Sequence, residues 1–392
     1  MSSVGVYVHV PFCERVCPYC DFAVVAAHPL RSADEGRYVD ALLTEIARRS
    51  GSYFDASLAS VYLGGGTPSL LQPESVRRIL DAIEATFPWG EELGRREVTL
   101  EVNPSTVEAA RLPEFRAAGV NRLSVGVQSF DDEVLRRLGR AHRAPVARET
   151  LAAVREANFT NVSIDLIFGA PGGSASQLAR DLRELTSFAP EHVSTYELTV
   201  EAGTPFALAD ARGQLGRPGE EELAAALATI ERALADIGIQ RYEISNHARP
   251  GFESQHNQRY WRREPVLGVG VGAASSLPCS SEMPHGGRAT NVRSVSDYLE
   301  GVESSGVAVA DWEEHDAATA RLEAVFLGLR QTAGLSAERF ASEFGAPLRG
   351  FFSEEVDALC AEGLLVESHA GDLRLSETGR LFADSVAARF VP

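Results

Sequence analysis

Three of the five cysteines stand close together near the start of the sequence, as Cys13, Cys17 and Cys20. They have the spacing C-x3-C-x2-C and follow a short apolar stretch, residues 6–10, that is typical of a β-strand. Three thiolates on one short loop can bind one metal group. A zinc site normally has a fourth protein ligand, whereas a four-iron cluster can take three cysteines and leave its fourth iron open to another ligand. The spacing therefore favours a [4Fe-4S] cluster.

The residues around these cysteines also resemble a known family. C-x3-C-x2-C after a first strand is similar to the signature of radical S-adenosylmethionine proteins, in which the open iron chelates the methionine part of S-adenosylmethionine. The flanking sequences, YVHVPFC at 7–13 and PYCDF at 18–22, resemble the oxygen-independent coproporphyrinogen III oxidase branch and, within it, the heme chaperone HemW group. The alternatives are a zinc site completed by His9 or a distant cysteine, and three unrelated buried thiols.

Composition restricts the class of protein. The 392 residues, 44% of them hydrophobic and 23% charged, suffice for two or three globular domains. A net charge of −18 opposes binding to nucleic acid or to an anionic membrane surface. No lysine is present, so all 37 basic residues are arginine. The sequence therefore excludes Schiff-base catalysis by lysine and nucleotide binding by a Walker lysine.

The sequence shows neither a membrane span nor a secretion signal. No apolar run reaches the length of about 18 residues that a transmembrane helix needs, and the N-terminus lacks the pattern of a signal peptide. We therefore expect a cytoplasmic protein without a transmembrane segment. Clustered cysteines in odd number suit a reducing compartment. Cys279 and Cys360 lie far from the cluster, and we expect each to be a small buried residue rather than a ligand.

Strand and helix patterns alternate after the cysteine loop. Five further strands are predicted near residues 60–63, 97–102, 122–127, 162–167 and 192–198, with helices between them. With the first strand they make six strand–helix units, a pattern that predicts an α/β protein with a parallel sheet. Six units are fewer than the eight of a closed barrel. The prediction is an open, partial (β/α)6 barrel, which is also the fold that the resemblance implies.

Changes in composition divide the chain into three predicted regions. The barrel core is predicted at residues 1–238. Residues 239–309, rich in glycine, aromatic and polar residues, are expected to cover the open side of the barrel. Residues 310–392 combine helical patterns with a hairpin over Ala370-Gly371, which predicts a small winged-helix-like C-terminal domain. Its 7 arginines against 15 acidic residues leave no basic surface for DNA, so nucleic acid is not an expected partner.

Polar residues at the ends of the predicted strands form a second group of candidates. A Gly64-Gly65-Gly66-Thr67-Pro68 turn follows the second strand, and glycines let a ligand approach the backbone closely. Glu101, Gln128 and Asp165 occupy the polar phase of three later strands, near the ends where barrel sites lie. Arg140 follows a short helical segment. We therefore expect these side chains to face one lumen.

The resemblance implies a role for each of these residues. It implies that S-adenosylmethionine is bound by Tyr7, Tyr19, Gly65, Gly66, Thr67, Glu101, Gln128, Arg140 and Asp165. The glycine turn would meet the methionine amino group, carboxylates can accept hydrogen bonds from ribose hydroxyls, and an arginine can hold a carboxylate through two N–H groups. The alternatives are a structural ion pair between Arg140 and Asp165, and tyrosines that only shield the metal loop.

The sequence His256-Asn257-Gln258-Arg259-Tyr260-Trp261 is the third candidate. It resembles the HNxxYW motif of the heme chaperone group, whose histidine is implicated in heme binding, so the resemblance implies that His256 binds heme. Neutral imidazole is a common axial ligand of heme iron, and Tyr260 and Trp261 are expected to lie against the macrocycle. A carrier must also release its heme, so we expect an exposed loop site rather than a deep pocket.

Departures from the family pattern decide between its branches. The decarboxylating oxidases have another cysteine two residues after the third, where this chain has Phe22. Chaperone-group members often read YEISNFA and GAHS, whereas His247 and Ala274 stand in those stretches here; the added histidine could compete for iron.

The predicted function is that of a heme chaperone. It would carry a [4Fe-4S] cluster with S-adenosylmethionine, bind heme and transfer it to an acceptor protein such as a membrane cytochrome. Whether the chain is also an enzyme stays open at this point. The alternatives are an oxygen-independent coproporphyrinogen III oxidase or another radical enzyme acting on a tetrapyrrole, and a zinc-containing binding protein without redox chemistry.

Overall fold

The computed structural model describes residues 3–53, 55–90 and 96–391. Its strands, in chain order, are β1 (Ser3–Val10), β2 (Phe12–Cys13), β3 (Val25–Ala26), β4 (Ser57–Gly65), β5 (Glu97–Val102), β6 (Arg122–Gln128), β7 (Val162–Phe168), β8 (His192–Glu197), β9 (Gln240–Arg241), β10 (Asn246–Ala248), β11 (Val266–Val269), β12 (Ala274–Leu277), β13 (Gly287–Asn291), β14 (Val309–Glu314), β15 (Leu365–Glu367) and β16 (Leu373–Leu375).

The α-helices are α1 (Ser32–Arg49), α2 (Pro73–Thr86), α3 (Thr106–Ala117), α4 (Asp132–Arg137), α5 (Ala144–Glu156), α6 (Ala175–Ser187), α7 (Pro205–Asp210), α8 (Glu220–Ala235), α9 (Gln255–Trp261), α10 (Val295–Ser305), α11 (Ala317–Gly328), α12 (Ala337–Phe344), α13 (Arg349–Ala361), α14 (Glu377–Leu381) and α15 (Ala383–Ala388). None of these helices is both long enough and apolar enough to cross a membrane.

One sheet of 12 strands organises the molecule, in the order β14-β13-β12-β11-β1-β4-β5-β6-β7-β8-β10-β9. The strands from β1 and β4 to β8 run parallel to one another, each followed by a helix. They confirm the six predicted strand–helix units. Among the described strands no ladder joins β14 to β9, so the barrel is open, as predicted.

Alternation along the strands separates the core from the lumen. In β1, the residues Val4, Val6, Val8 and Val10 are fully buried and belong to the main hydrophobic cluster, with Tyr38 and Leu42 of α1 among their neighbours. The residues between them include Tyr7 and His9, whose polar atoms hydrogen-bond to each other. Successive side chains of a strand point to opposite faces. The apolar phase therefore packs on the helices, and the polar phase is left to line the interior.

The region after residue 238 continues the barrel sheet. β11 pairs with β1 in parallel, and β12 to β14 extend that edge in antiparallel register. On the other edge, β10 pairs with β8. The sequence did not predict these strands, because each has only 2 to 6 residues and β11 is interrupted by Gly268. Strands on both sides of residue 238 share one sheet, so the sheet does not mark a boundary there. The boundaries at 238 and 309 stay predictions.

The C-terminal region has a hydrophobic cluster of its own. Buried residues between Ala324 and Phe390 pack together, separate from the barrel core. The hairpin of β15 and β16 lies over Ala370-Gly371 as predicted. The last helical pattern of the sequence, at residues 377–390, would predict one helix but forms two, because Phe382, with φ −122° and ψ 28°, separates α14 from α15.

Candidate functional site

A cavity of about 510 Å³ lies at the carboxyl ends of the barrel strands. Cys13, Cys17 and Cys20 line it, and none of them forms a disulfide. We call this cavity the cysteine pocket. Its wall also contains eight residues of the nine that were predicted to bind S-adenosylmethionine, namely Tyr19, Gly65, Gly66, Thr67, Glu101, Gln128, Arg140 and Asp165. The fold thus brings the two predicted groups of residues together.

Backbone hydrogen bonds fix the cysteine loop on the glycine turn. The amide of Gly66 donates to the carbonyl of Val10, and the amide of Thr67 donates to that of Phe12, both over 2.8 Å. A Cβ atom on Gly66 would lie 2.9 Å from the sulfur of Cys13, which is closer than any real Cβ contact. Only glycine therefore allows this approach between the turn and the cysteine loop.

His9 supports the loop from below. Its Nε2 lies 3.0 Å from the carbonyl oxygen of Ala23, and its Nδ1 lies 3.1 Å from the hydroxyl of Tyr7. The ring occupies the space beside Gly65, where φ is +107° and a Cβ would approach His9 to 2.5 Å. Both ring nitrogens of His9 already have partners, so a zinc site completed by His9 is not supported.

The three thiols of the cysteine pocket are not arranged around a single ion. Burial raises the pKa of the Cys13 thiol to about 11 and also raises the pKa of Cys20, so a bound metal must displace these protons. Across the described parts of the chain, no three His, Cys, Asp or Glu side chains are arranged to hold one metal ion. In a zinc site every sulfur ligand lies about 2.3 Å from the same ion. In a four-iron cluster each cysteine binds a different iron, so the sulfur atoms lie further apart.

Glu101 and Asp165 present buried carboxylates to the cysteine pocket. Glu101 accepts hydrogen bonds from the hydroxyl of Tyr62 (2.8 Å) and the amide of Gly65 (3.0 Å), and burial raises its pKa to about 7. Asp165 accepts from the hydroxyls of Ser124 (2.8 Å) and Ser163 (2.9 Å), and burial raises its pKa as well. The hydrogen bonds to both carboxylates come from neutral groups. Because an ionised carboxylate has about four acceptor positions, each of the two keeps lone pairs for a ligand.

Arg140 lies at the cysteine end of the pocket. Its Nη2 donates to Asn103 Oδ1 (2.5 Å) and to the carbonyl of Gly126 (3.1 Å), and its Nη1 lies 3.7 Å from the sulfur of Cys17. Its Nε is buried without a partner among the described residues. The alternative of a structural ion pair with Asp165 is wrong, because Arg140 bonds to these other groups. Its charge remains available for an anion beside Cys17.

Gln128, Tyr19 and Tyr7 have less regular positions. Gln128 lines the pocket with φ +65°, at a register shift between β6 and β7. Tyr19 packs on Phe206, with 6.1 Å between ring centroids. Tyr7 is absent from the pocket wall and lies beneath it, its ring 6.2 Å from that of Tyr62. Their contacts with a ligand stay predictions.

The sequence analysis missed several residues of the pocket wall, among them Tyr62, Asn103, Ser124 and Tyr196. Asn103 donates to Thr67 Oγ1 (2.6 Å) while it accepts from Arg140, so it joins the glycine turn to the arginine. Asn103 follows Glu101 by two residues and Ser124 precedes Gln128 by four. Extending the polar phase of each strand in steps of two would have found both.

His256 is buried inside the barrel, contrary to the expected exposed loop. It belongs to α9 and is only 1% exposed. Its Nδ1 shares a hydrogen bond with the hydroxyl of Ser60 (2.9 Å), and its Nε2 shares one with the hydroxyl of Tyr260 (3.2 Å). Burial lowers the pKa of His256 to about 3. Both ring nitrogens are therefore occupied in a neutral ring that solvent does not reach.

Helix α9 closes the barrel at the amino ends of the strands. Glu97, the first residue of β5, accepts from the backbone amides of Gln255 and His256, each over 3.0 Å. Arg259 donates to the carbonyl of Ser3, the first residue of β1 (2.7 Å). The rings of His256 and Tyr62 have centroids 5.3 Å apart. The predicted heme motif therefore forms the floor of the lumen whose upper end is the cysteine pocket.

A second cavity, of about 260 Å³, lies between the β12–β13 hairpin, the end of α9 and helices α11 and α12. We call it the interface pocket. Tyr260 and Ala274 line it, together with Cys279, which is exposed. The expectation that Cys279 is buried is therefore wrong. His247, the other histidine considered as a heme ligand, is 1% exposed and does not reach either pocket.

Comparison with known proteins agrees with both halves of the fold. Residues 7–185 match the radical SAM superfamily, and residues 316–382 match the HemN C-terminal domain. The fold matches that of coproporphyrinogen III oxidase (HemN) from Escherichia coli, a radical SAM enzyme, with a TM-score of 0.82 over 99% of this chain and 90% of that chain, at 23% identity. At this identity the match shows the fold alone.

Curated relatives match the chain over nearly its full length. It is 34% identical to the heme chaperone HemW of Bacillus subtilis, covering 98% of each chain. It is 35% identical to the heme chaperone HemW of Mycobacterium tuberculosis, over 97% of this chain and 93% of that protein. A mouse relative, radical S-adenosyl methionine domain-containing protein 1, mitochondrial, is 34% identical over 100% of this chain and 88% of its own length.

Proposed function

Because the chain belongs to the radical S-adenosylmethionine superfamily and, within it, to the heme chaperone HemW family, we propose that it binds heme and transfers it to an acceptor protein, such as a membrane cytochrome. Membership of the superfamily implies a [4Fe-4S] cluster and S-adenosylmethionine. The sequence identity of 34% and 35% to two heme chaperones, over nearly the full length of the chain, supports this choice of function.

The cysteine pocket holds these two cofactors in the proposed function. Cys13, Cys17 and Cys20 ligate the cluster. Arg140 holds the methionine carboxylate and Glu101 and Asp165 accept from ribose hydroxyls. Around them the ligand meets Tyr19, Gly65, Gly66, Thr67 and Gln128, with Tyr7 behind the floor. When bound, the cofactors supply one-electron chemistry, while the protein positions them and excludes water.

The charge of the cysteine pocket is the observation that carries the choice against the oxidase reaction. Among its described lining residues are five carboxylates, Asp21, Glu101, Asp165, Glu197 and Glu201, but only two arginines, Arg15 and Arg140. Coproporphyrinogen is a tetracarboxylate. Like charges in a confined site repel each other strongly, so this pocket disfavours that substrate. Phe22, 64% exposed at the rim, stands where the oxidases have a further cysteine.

The test measures heme transfer and oxidase activity side by side. Protein with a reconstituted cluster is loaded with hemin and mixed anaerobically with membranes that contain a heme-free cytochrome, with hemin-loaded serum albumin as the control carrier. We expect faster appearance of the cytochrome spectrum from the protein than from albumin. In parallel, the protein is incubated with S-adenosylmethionine, a reductant and coproporphyrinogen. Accumulation of protoporphyrinogen, or transfer no faster than from albumin, would contradict the proposal.

A further inference from the structure

The buried position of His256 leaves the proposed heme without an accessible ligand in the predicted motif. Six of the nine histidines are buried, among them His256 and His247, each 1% exposed. The other three are His28, His285 and His369. Of these, only His285 lines one of the cavities of the described structure. His315 also lines that cavity but is only 6% exposed, so His285 is the more accessible imidazole there.

The cysteines lead to the same place. Cys13, Cys17 and Cys20 line the cysteine pocket, and Cys360 packs partly against the C-terminal hydrophobic cluster. Cys279 is exposed and lines the interface pocket together with His285. Thiolate and imidazole are the two side chains that most often supply an axial ligand to heme iron. The interface pocket thus holds one accessible group of each kind.

The loop between β12 and β13 carries both groups. The ladder ends at the pair Leu277 and Gly287, and in the following loop the amides of Ser280 and Gly286 both donate to the carbonyl of Met283. Cys279 and His285 lie at the two ends of this loop, and both line the interface pocket. Either side chain can therefore meet a ligand that is held in this pocket.

The rest of the interface pocket suits an anionic macrocycle. Tyr260, a residue of the HNQRYW helix, and Leu327 supply apolar surface. Arg263 and Arg288 balance Glu323 and Glu343 in the wall through ion pairs, and Arg288, which is paired with Glu323, keeps 47% of its side chain exposed. The wall is therefore neutral in sum, whereas the cysteine pocket carries an excess of carboxylates. Heme propionates are not repelled here.

We propose that heme is held at the interface pocket, with its iron ligated by Cys279 or His285 at the base of the β12–β13 loop, and not by His256. This proposal rests on the proposed heme-carrier function. Coordination by Cys279 releases the thiol proton to solvent, whereas His285 binds as a neutral imidazole. The pocket, at about 260 Å³, is smaller than the roughly 300–1,000 Å³ clefts that enclose small ligands. One edge of the macrocycle is held, and the rest stays open to an acceptor.

The test is a hemin titration of full-length protein carrying its cluster, followed by the Soret band. The variant Cys279→Ser/His285→Ala removes both donors. The matched control, Cys360→Ser/His369→Ala, removes a cysteine and a histidine that lie outside the pocket. We expect the first variant to bind hemin at least tenfold more weakly with a shifted Soret band, and the control to match the wild type. Single variants then assign the ligand, since thiolate and imidazole give different spectra.

The outcomes separate this proposal from the function on which it rests. If the wild type binds no hemin, the heme-carrier function fails. If the wild type binds hemin and the Cys279→Ser/His285→Ala variant binds it equally well with the same spectrum, the function stands and the interface-pocket site is overturned. Circular dichroism and thermal unfolding of each variant show that a loss of binding does not come from a loss of folding. Both substitutions lie at a partly exposed loop, where the cost in stability is small.

Discussion

The cysteine pocket and the interface pocket lie at opposite ends of one column of aromatic rings. Tyr62 lines the first and Tyr260 lines the second, and His256 packs between them with ring centroids 5.3 Å from each. The cysteine pocket is built from strand ends and a glycine turn, and carboxylates dominate its charged groups. The interface pocket is built from a hairpin loop and two domains, and its charges balance.

The difference indicates a division of tasks. A cofactor that stays bound needs donors that are fixed before it arrives, and the strands that end at the cysteine pocket provide this. A cargo that is released needs a site with a partly open side, as at the interface pocket. His256 then has the role of a wall between the two cavities. Three substitutions test this separation, in order of decreasing effect.

Removing one cluster ligand should abolish only one of the two bound groups. In Cys20→Ser, we expect the loss of nearly all bound iron and sulfide from reconstituted protein, because two thiolates do not hold the cluster. Hemin affinity should stay within about twofold of the wild type. Such a change in binding free energy is well below the roughly 1.4 kcal/mol that corresponds to a tenfold change in affinity. Iron analysis and hemin titration check this, with Cys360→Ser as the control. A large drop in hemin affinity would show that heme binding depends on the cluster, and would contradict the separation of the two sites.

Replacing His256 should lower stability without removing heme. His256→Ala leaves the hydroxyls of Ser60 and Tyr260 without a partner and opens a cavity in the lumen. We expect the free energy of unfolding to fall by about 2–4 kcal/mol, measured by denaturant titration, with the exposed His369→Ala as the reference. The folded fraction should keep the hemin spectrum of the wild type. A well-folded variant with a changed Soret band would indicate that His256 is a ligand of the heme iron.

The stability of the folded protein should depend on pH through Glu101, a residue of the cysteine pocket. Its pKa is raised from 4.5 to about 7 in the folded chain. Between these pH values the folded protein keeps a proton that the unfolded chain has lost, so the free energy of unfolding falls as the pH rises, by about 3 kcal/mol at most. Glu101→Gln lacks this contribution.

Unfolding of wild type and Glu101→Gln at pH 5 and pH 8 checks the effect, because the difference between the two proteins cancels the other titrating groups. We expect the variant to gain stability relative to the wild type at pH 8. An equal difference at both pH values would show that the pKa of Glu101 is the same in the folded and the unfolded chain, which would contradict the raised pKa. Hemin affinity should not follow this titration, since Glu101 is absent from the wall of the interface pocket.

The barrel and the wall of the cysteine pocket could be predicted because their signals are local. Strands such as Glu97–Val102 alternate apolar and polar residues, so they show both their existence and which residues face inward. The cysteine loop and the glycine turn are short patterns at the ends of such strands. These signals and the parallel arrangement indicate which residues line the pocket, whereas the roles predicted for them toward S-adenosylmethionine came from the family resemblance.

The floor of the barrel and the interface pocket depend on distant contacts that no local pattern shows. His256 bonds to Ser60, 196 residues earlier, and a polar HNQRYW segment reads as an exposed loop unless this partner is known. Cys279 was expected to be buried because most isolated cysteines are. It is exposed in the loop that follows β12, and the short strands β12 and β13 extend the sheet to which β1 belongs.

Helix α9 is held by different parts of the molecule at its two ends. Glu97 of the barrel accepts from the amides of its first turn, whereas Gln331 and Arg339 of the C-terminal region donate to the carbonyls of Trp261 and Arg262 at its far end. Arg259, in the last turn, also bonds to Ser3 of the barrel. A displacement of the C-terminal region would therefore act on the end of α9 that carries Tyr260, while Glu97 holds the end that carries His256.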